Sequence, residues 1–141
     1  RLMKTPYDIL GEDGVRNLCN AFYDIMDADE QVKDIRRMHA ESLEPMKEKL
    51  FEYLCGWMGG PQLYSKRYGT VCMTTPHKPY SIGPMERDQW LYCMDKALEQ
   101  INASDELKTM LKDPMYRVAD AVKNRNSLEP EPKDENLIAI G

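Results

Sequence analysis

The chain has 141 residues, enough for one domain with a real core, and a formal net charge of −5. That charge argues against nucleic acid or an anionic membrane surface as the main partner. No apolar run approaches the roughly 20 residues that span a bilayer, and the opening RLMKTPYDIL lacks the pattern of a secretory signal, so a cytoplasmic protein is expected.

In chain order, Thr5-Pro6 is a turn signal, and Tyr7-Asp8-Ile9-Leu10 before Gly11 predicts a short first helix ended by that glycine. From about Gly14 a second helix is marked by Val15, Leu18, Cys19, Phe22, Ile25 and Met26, an amphipathic stripe. Tyr23 stands at the edge of this stripe, where its ring can be buried while its hydroxyl needs a partner. Asp27-Ala28-Asp29-Glu30 breaks the pattern; Val32, Ile35 and Met38 then predict one or two tight turns ending at His39. Ser42 suits a cap and Pro45 a first turn, so a helix is expected to start there. Its apolar residues Met46, Leu50, Tyr53, Leu54 and Trp57, with Phe51, Cys55 and Met58 beside them, form a surface too wide for burial on one side only. Gly59-Gly60-Pro61 stops it, and residues 62–73 predict a loop or short helix.

His77 is one of two histidines and has Pro76 before it and Pro79 two residues after it. Proline fixes its own φ and disfavours helix in the residue before it, so His77 is expected on a short, stiff, irregular segment rather than deep in a long helix. After Ile82-Gly83-Pro84 comes a helix led by Glu86-Arg87-Asp88, with Trp90, Cys93, Met94, Ala97, Leu98 and Ile101 on one stripe. The last helix starts at a Ser104 cap and runs to about Asn126, with Leu107, Met110, Leu111, Met115, Val118, Ala121 and Val122 on its stripe and a kink or split predicted at Pro114. No strand pattern appears, so the fold class is all-α. One domain over residues 1–126 is followed by an acidic, Pro-containing stretch, 127–141, expected to be a mobile tail. Cys19, Cys55, Cys72 and Cys93 form no CxxC pair and are expected to be small buried apolar residues.

No phosphate loop, zinc-ligand spacing, HExxH or nucleophile elbow is present. Cys72 and His77 offer two ligands, or a nucleophile and a base, with no third residue to complete either site. Three segments carry more information: FYDIMD, EKLFEYLCGWMGGPQLY and PHKPYSIGPMERDQWLYCMDKAL. In this order and with these separations they closely resemble the truncated haemoglobins of the second group, over roughly Thr5 to Asn126.

The resemblance implies a globin-like, two-over-two α-helical sandwich around haem b. It makes His77 the metal ligand on the proximal side. It makes Tyr23, His39, Met46, Leu50 and Trp90 the distal ligand pocket, with His39 at a corner that is usually Phe or Tyr. It assigns Tyr53, Leu54, Met73, Ile82, Val118 and Val122 to the haem walls and Lys49 to a propionate. Arginines usual before the proximal histidine are replaced here by Thr74 and Pro76, and Gly69-Thr70-Val71 stands where many members have Gly-His-Pro. The propionates therefore have Lys49, Tyr64, Tyr68, Arg67 and Lys78 as candidates. The function implied is reversible binding of dioxygen, carbon monoxide and nitric oxide, as in oxygen transport, with the hydroxyl of Tyr23 and ring N–H groups of Trp90 and His39 as donors to the gas. Nitric oxide dioxygenase or peroxidase-like turnover would need an unidentified reductase, and Tyr23 or His39 could become a sixth ligand of ferric iron. The competing reading is a cofactor-free helical interaction module, which a visible spectrum would separate from the first.

Overall fold

Residue 4 to residue 126 is the part that the structure, a computed structural model, describes. Thr5 starts α1 (Pro6–Ala28): its hydroxyl accepts from the Asp8 amide at 3.0 Å and Asp8 accepts from the Thr5 amide at 2.8 Å, a capping box just ahead of Pro6. The two helices expected here are both present within α1, separated by a kink at Gly11, whose φ of 70° and ψ of 176° leave the helical region. Asp29 closes α1 and accepts from the Gln31 amide, opening a 3₁₀ turn (Glu30–Val32) that leads into α2 (Lys33–Arg37). These are the tight turns expected before His39.

Helix α3 (Glu44–Trp57) carries Pro45 in its first turn. Its N-cap is Leu43 rather than Ser42, and the Ser42 hydroxyl reaches only the Glu44 amide, at 3.4 Å. After α3 the Gly59-Gly60 pair allows a close approach. A Cβ on Gly60 would lie 2.6 Å from the Tyr7 ring, and one on Gly59 would lie 2.8 Å from the Thr5 side chain. The Tyr7 amide donates to the Met58 carbonyl at 3.0 Å, so the start of α1 is pinned to the end of α3. Helix α4 (Leu63–Tyr68) and the four-residue α5 (Thr74–His77) follow. Helix α6 (Pro84–Gln100) begins where the Glu86 carboxylate accepts from the Gly83 amide at 2.7 Å. Ser104 caps α7 (Asp105–Ala121), accepting from the Leu107 amide; Pro114 lies inside α7 without dividing it, and the helix stops at Ala121, short of Asn126. The tail expected over 127–141 lies outside the described residues.

No strand occurs among the described residues, and no helix among them is long and apolar enough to cross a membrane. Helix α1 packs on both α3 and α6, and α6 packs on α7, giving two helix pairs laid across one another. The core between them holds Val15, Leu18, Phe22 and Met26 of α1 with Leu54, Met94, Ala97, Leu107 and Leu111. Each such large side chain, fully buried, stabilises the fold by roughly 1.5–3 kcal/mol. The last helix turns Ala119 inward where the stripe suggested Ala121, which is exposed. Cys19, Cys55 and Cys93 are buried as expected, but Cys72 is exposed: it sits on the loop before α5, where Thr74 and Thr75 hydrogen-bond its sulfur instead of a core packing it. Those bonds, the Thr74 hydroxyl first, lower its thiol pKa to about 6. Helix α3 keeps its main contacts with α1 and α4 and stands apart from α6 and α7. The gap it leaves is the site.

Candidate functional site

A cleft with about 1080 Å³ of empty space, its open mouth included, lies between α3 on one side and α5, α6 and α7 on the other. Met46, Leu50, Tyr53 and Leu54 of α3 form one wall; Met73, Ile82 and Val118 form the facing one, and Val122 joins it. The wide apolar face of α3 is thus explained: Phe51 and Cys55 are in the core, while Met46, Leu50 and Tyr53 face the cleft. Every other expected site residue lines the cleft too, namely Tyr23, His39, Lys49, Tyr64, His77 and Trp90, with the exception of Tyr68. Tyr68 is 43% exposed and stacks on Tyr64 at 4.5 Å between ring centroids, outside the cleft. Of the further propionate candidates, Arg67 is held away by Glu52, to which it donates three bonds of 2.7 to 3.0 Å, and Lys78 does not line the cleft.

The two histidines face the cleft from opposite elements. His77 ends α5, and its Nδ1 bonds the Met73 carbonyl one turn earlier. A carbonyl oxygen only accepts, so Nδ1 carries the proton and Nε2 keeps its lone pair. Burial lowers the His77 pKa, outweighing the Met73 carbonyl, and the charge of Lys49 lowers it further, so the ring is neutral at neutral pH. His39 repeats the arrangement: its Nδ1 donates to the Ile35 carbonyl at 2.7 Å, and burial again lowers the pKa, helped by Arg36 and by His77 itself. Neutral His39 therefore presents an unprotonated Nε2, a lone pair rather than the N–H expected of it. The corner that carries His39 is fixed to α6 by Gln89, which accepts from the Ile35 amide at 3.2 Å and donates to Asp34 at 2.9 Å.

Tyr23 enters from α1 and is only 4% exposed. Its ring stands edge-on to Phe22 at 4.9 Å and to His39 at 6.0 Å, and Phe22 touches Trp90 at 5.1 Å. Phe22 thus sits behind both polar aromatics and sets their directions. Burial pushes the Tyr23 phenol well above its ordinary pKa, so it is a neutral O–H donor and a poor source of phenolate. No hydrogen bond from the Tyr23 hydroxyl or the Trp90 indole to another side chain or carbonyl is found among the described residues. Both donors are open to the cleft.

Residues 5–124 match the model of a family described as bacterial-like globin. The chain belongs to the bacterial-like globins, in the second group of truncated haemoglobins. The cold-adapted truncated haemoglobin of the Antarctic marine bacterium Pseudoalteromonas haloplanktis TAC125 shares its fold with a TM-score of 0.83 at 39% identity, over 87% of this chain and 100% of that one. A group II two-on-two haemoglobin from the plant pathogen Agrobacterium tumefaciens gives 0.82 at 30% identity, over 88% of this chain and 97% of that one. The group 2 truncated haemoglobin YjbI of Bacillus subtilis is 26% identical over 88% of this chain and 92% of its own length. The two-over-two globin fold is thereby established, and membership of this family implies a haem cofactor and small diatomic ligands such as oxygen. It favours the haem reading over a cofactor-free module.

This truncated haemoglobin also lines its cleft with Ile35, Met38, Trp57, Pro76, Glu86, Arg87, Met115 and Ala119, to which neither the stripes nor the resemblance points as site residues. The apolar pattern marks Ile35, Met38, Trp57 and Met115 only as inward-facing, and it does not include Pro76, Glu86, Arg87 or Ala119. Arg87 is 2.9 Å from both Asp88 and Asp120 and lies over the Tyr116 ring, so its charge is already matched.

Proposed function

We propose that this chain binds haem b in the cleft through His77 and takes dioxygen, carbon monoxide or nitric oxide in the half faced by Tyr23 and Trp90. Bound haem supplies an iron that accepts a diatomic gas on the face opposite its histidine. The observation that carries the reading is the tether of His77: its Nδ1 donates to the Met73 carbonyl, which leaves Nε2 for a metal. Fit supports it as well, since the apolar walls of α3 and α7 exclude water from a flat aromatic group. Lys49 and Tyr64 line the cleft and suit the propionates.

Opposite His77, the hydroxyl of Tyr23 and the indole N–H of Trp90 donate toward a ligand that carries partial negative charge. A dry cavity strengthens such dipoles, which favours slow release over rapid delivery. A redox role with nitric oxide or peroxide, using an external reductase, has one specific observation behind it. His39 is a neutral base in the same cleft, its Nε2 able to take a proton. The same lone pair makes His39 a better candidate than Tyr23 for a sixth ligand of ferric iron.

Absorption spectra of the ferric and ferrous protein, with and without carbon monoxide, test the reading. Haem added to the purified chain is expected to give an intense Soret band that shifts when carbon monoxide is admitted to the ferrous form. No Soret band after haem addition would sink it.

A further inference from the structure

The four residues of α5 are too few to hold themselves helical, and none of them is fully buried, Pro76 and His77 being half-buried. Packing alone therefore does not fix the segment that carries His77. Hydrogen bonds from the far end of the chain do. Just past α7, the Asn124 amide group donates to the His77 carbonyl at 3.3 Å and the Tyr80 carbonyl at 2.6 Å. Its side-chain oxygen accepts from the Ile82 amide at 2.8 Å, and the backbone amides of Asn124 and Arg125 both donate to the Ile82 carbonyl, at 2.7 and 3.1 Å. Arg125 continues the contact, donating to the Ser81 hydroxyl and to the Glu86 carboxylate, each at 2.7 Å. The Glu86–Arg125 pair is 5% and 10% exposed, and the same Glu86 oxygen accepts from the Gly83 amide. Removing either partner of so buried a pair leaves an uncompensated charge.

We propose that Asn124 and Arg125 form a clasp that positions His77 for its metal. Main-chain atoms from His77 to Ile82 and the start of α6 are tied to one short stretch of chain, so the direction of the imidazole depends on two residues that never touch the cleft. Asn124 and Arg125 are positioning residues, acting through the backbone of the 77–86 segment. The proposal rests on His77 being the iron ligand, and the experiment separates the two.

The full chain loaded with haem is compared as parent, His77→Gly, Asn124→Ala and Arg125→Ala. The readouts are the iron–histidine stretching band of the ferrous protein by resonance Raman, haem transfer to excess apomyoglobin, and amide exchange over residues 77–86. Loss of the band in His77→Gly isolates the ligand assignment; a retained band overturns that assignment, and the clasp with it. With the band lost in His77→Gly, both clasp variants are expected to shift or broaden it. Haem transfer should quicken about tenfold, the effect of losing a net hydrogen bond or more. Exchange over 77–86 should quicken while that of α1 stays as in the parent. Should an alanine variant fail to fold, Asn124→Asp keeps the acceptor for Ile82 and removes both donations, and Arg125→Lys keeps a charge beside Glu86 and gives up the paired geometry. An unchanged band with unchanged haem transfer in a folded Asn124 variant, beside a His77→Gly that has lost its band, overturns the clasp.

Discussion

The two faces of the cleft are built differently. Tyr23 belongs to the 23-residue α1, and its neighbour Phe22, fully buried, touches both Tyr23 and Trp90. Its direction is set by close packing, which resists small displacements. His77 belongs to a four-residue helix without a fully buried side chain; its Nδ1 donates to the Met73 carbonyl and its own carbonyl accepts from Asn124. The difference teaches which property each face controls. A change on the packed side should alter the gas or the stability of the whole fold. A change on the tethered side should alter how the haem is held.

The largest effect is expected from His77→Gly, which should lose most of its haem and recover it when imidazole is supplied; haem titration followed at the Soret band reads both. Haem retention equal to the parent's would remove the distinction between the faces. Next is Phe22→Ala. It should cost about 3–5 kcal/mol of stability, the range for deleting a buried aromatic side chain, measured by chemical denaturation. If Phe22 supports both donors, the same variant should release oxygen faster wherever it folds.

The smallest effect is acid sensitivity. Burial lowers the pKa of His39 in the folded chain, whereas the unfolded side chain titrates near about 6.5. The unfolded state binds more protons in that window, so the stabilisation is complete above the ordinary value and is lost as pH falls through the depressed one. Denaturation midpoints taken from about pH 7.5 down to about 5 should fall less for His39→Phe than for the parent. Parallel curves would mean that His39 is not buried neutral.

Much of the fold is legible in the amino-acid sequence, because its signals are local. Gly59-Gly60-Pro61 ends α3, with Gly59 at a φ of 102°, and the segment at His77 is short as expected, although its four residues Thr74–His77 are helical where the prolines suggested an irregular path. Stripe periodicity says which side of a helix is apolar and stops there. It cannot tell Phe51, which is in the core, from Leu50, which faces the cleft, nor choose Ala119 over Ala121. Gly11 reads as a stop and is one, since its backbone leaves the helical region before the next helix begins. Tyr68 is a propionate candidate through the resemblance, but its ring is exposed and off the cleft lining that Tyr64 joins. The ties from Asn124 and Arg125 to residues 77–86 are hidden for a different reason. They join polar groups about 40 residues apart in the chain, and no spacing rule connects such groups.

On the proposed function, one cleft has a holding face at His77 and a selecting face at Tyr23. Release of oxygen and of carbon monoxide from ferrous Tyr23→Phe, by stopped flow and flash photolysis, tests it most directly. One neutral hydrogen bond is worth roughly 0.5–1.5 kcal/mol, so oxygen release should quicken about two- to tenfold. Carbon monoxide binds with less charge separation and should change less, with haem retention as in the parent. Equal acceleration of both gases would point to altered access instead of a lost donor and would contradict the account.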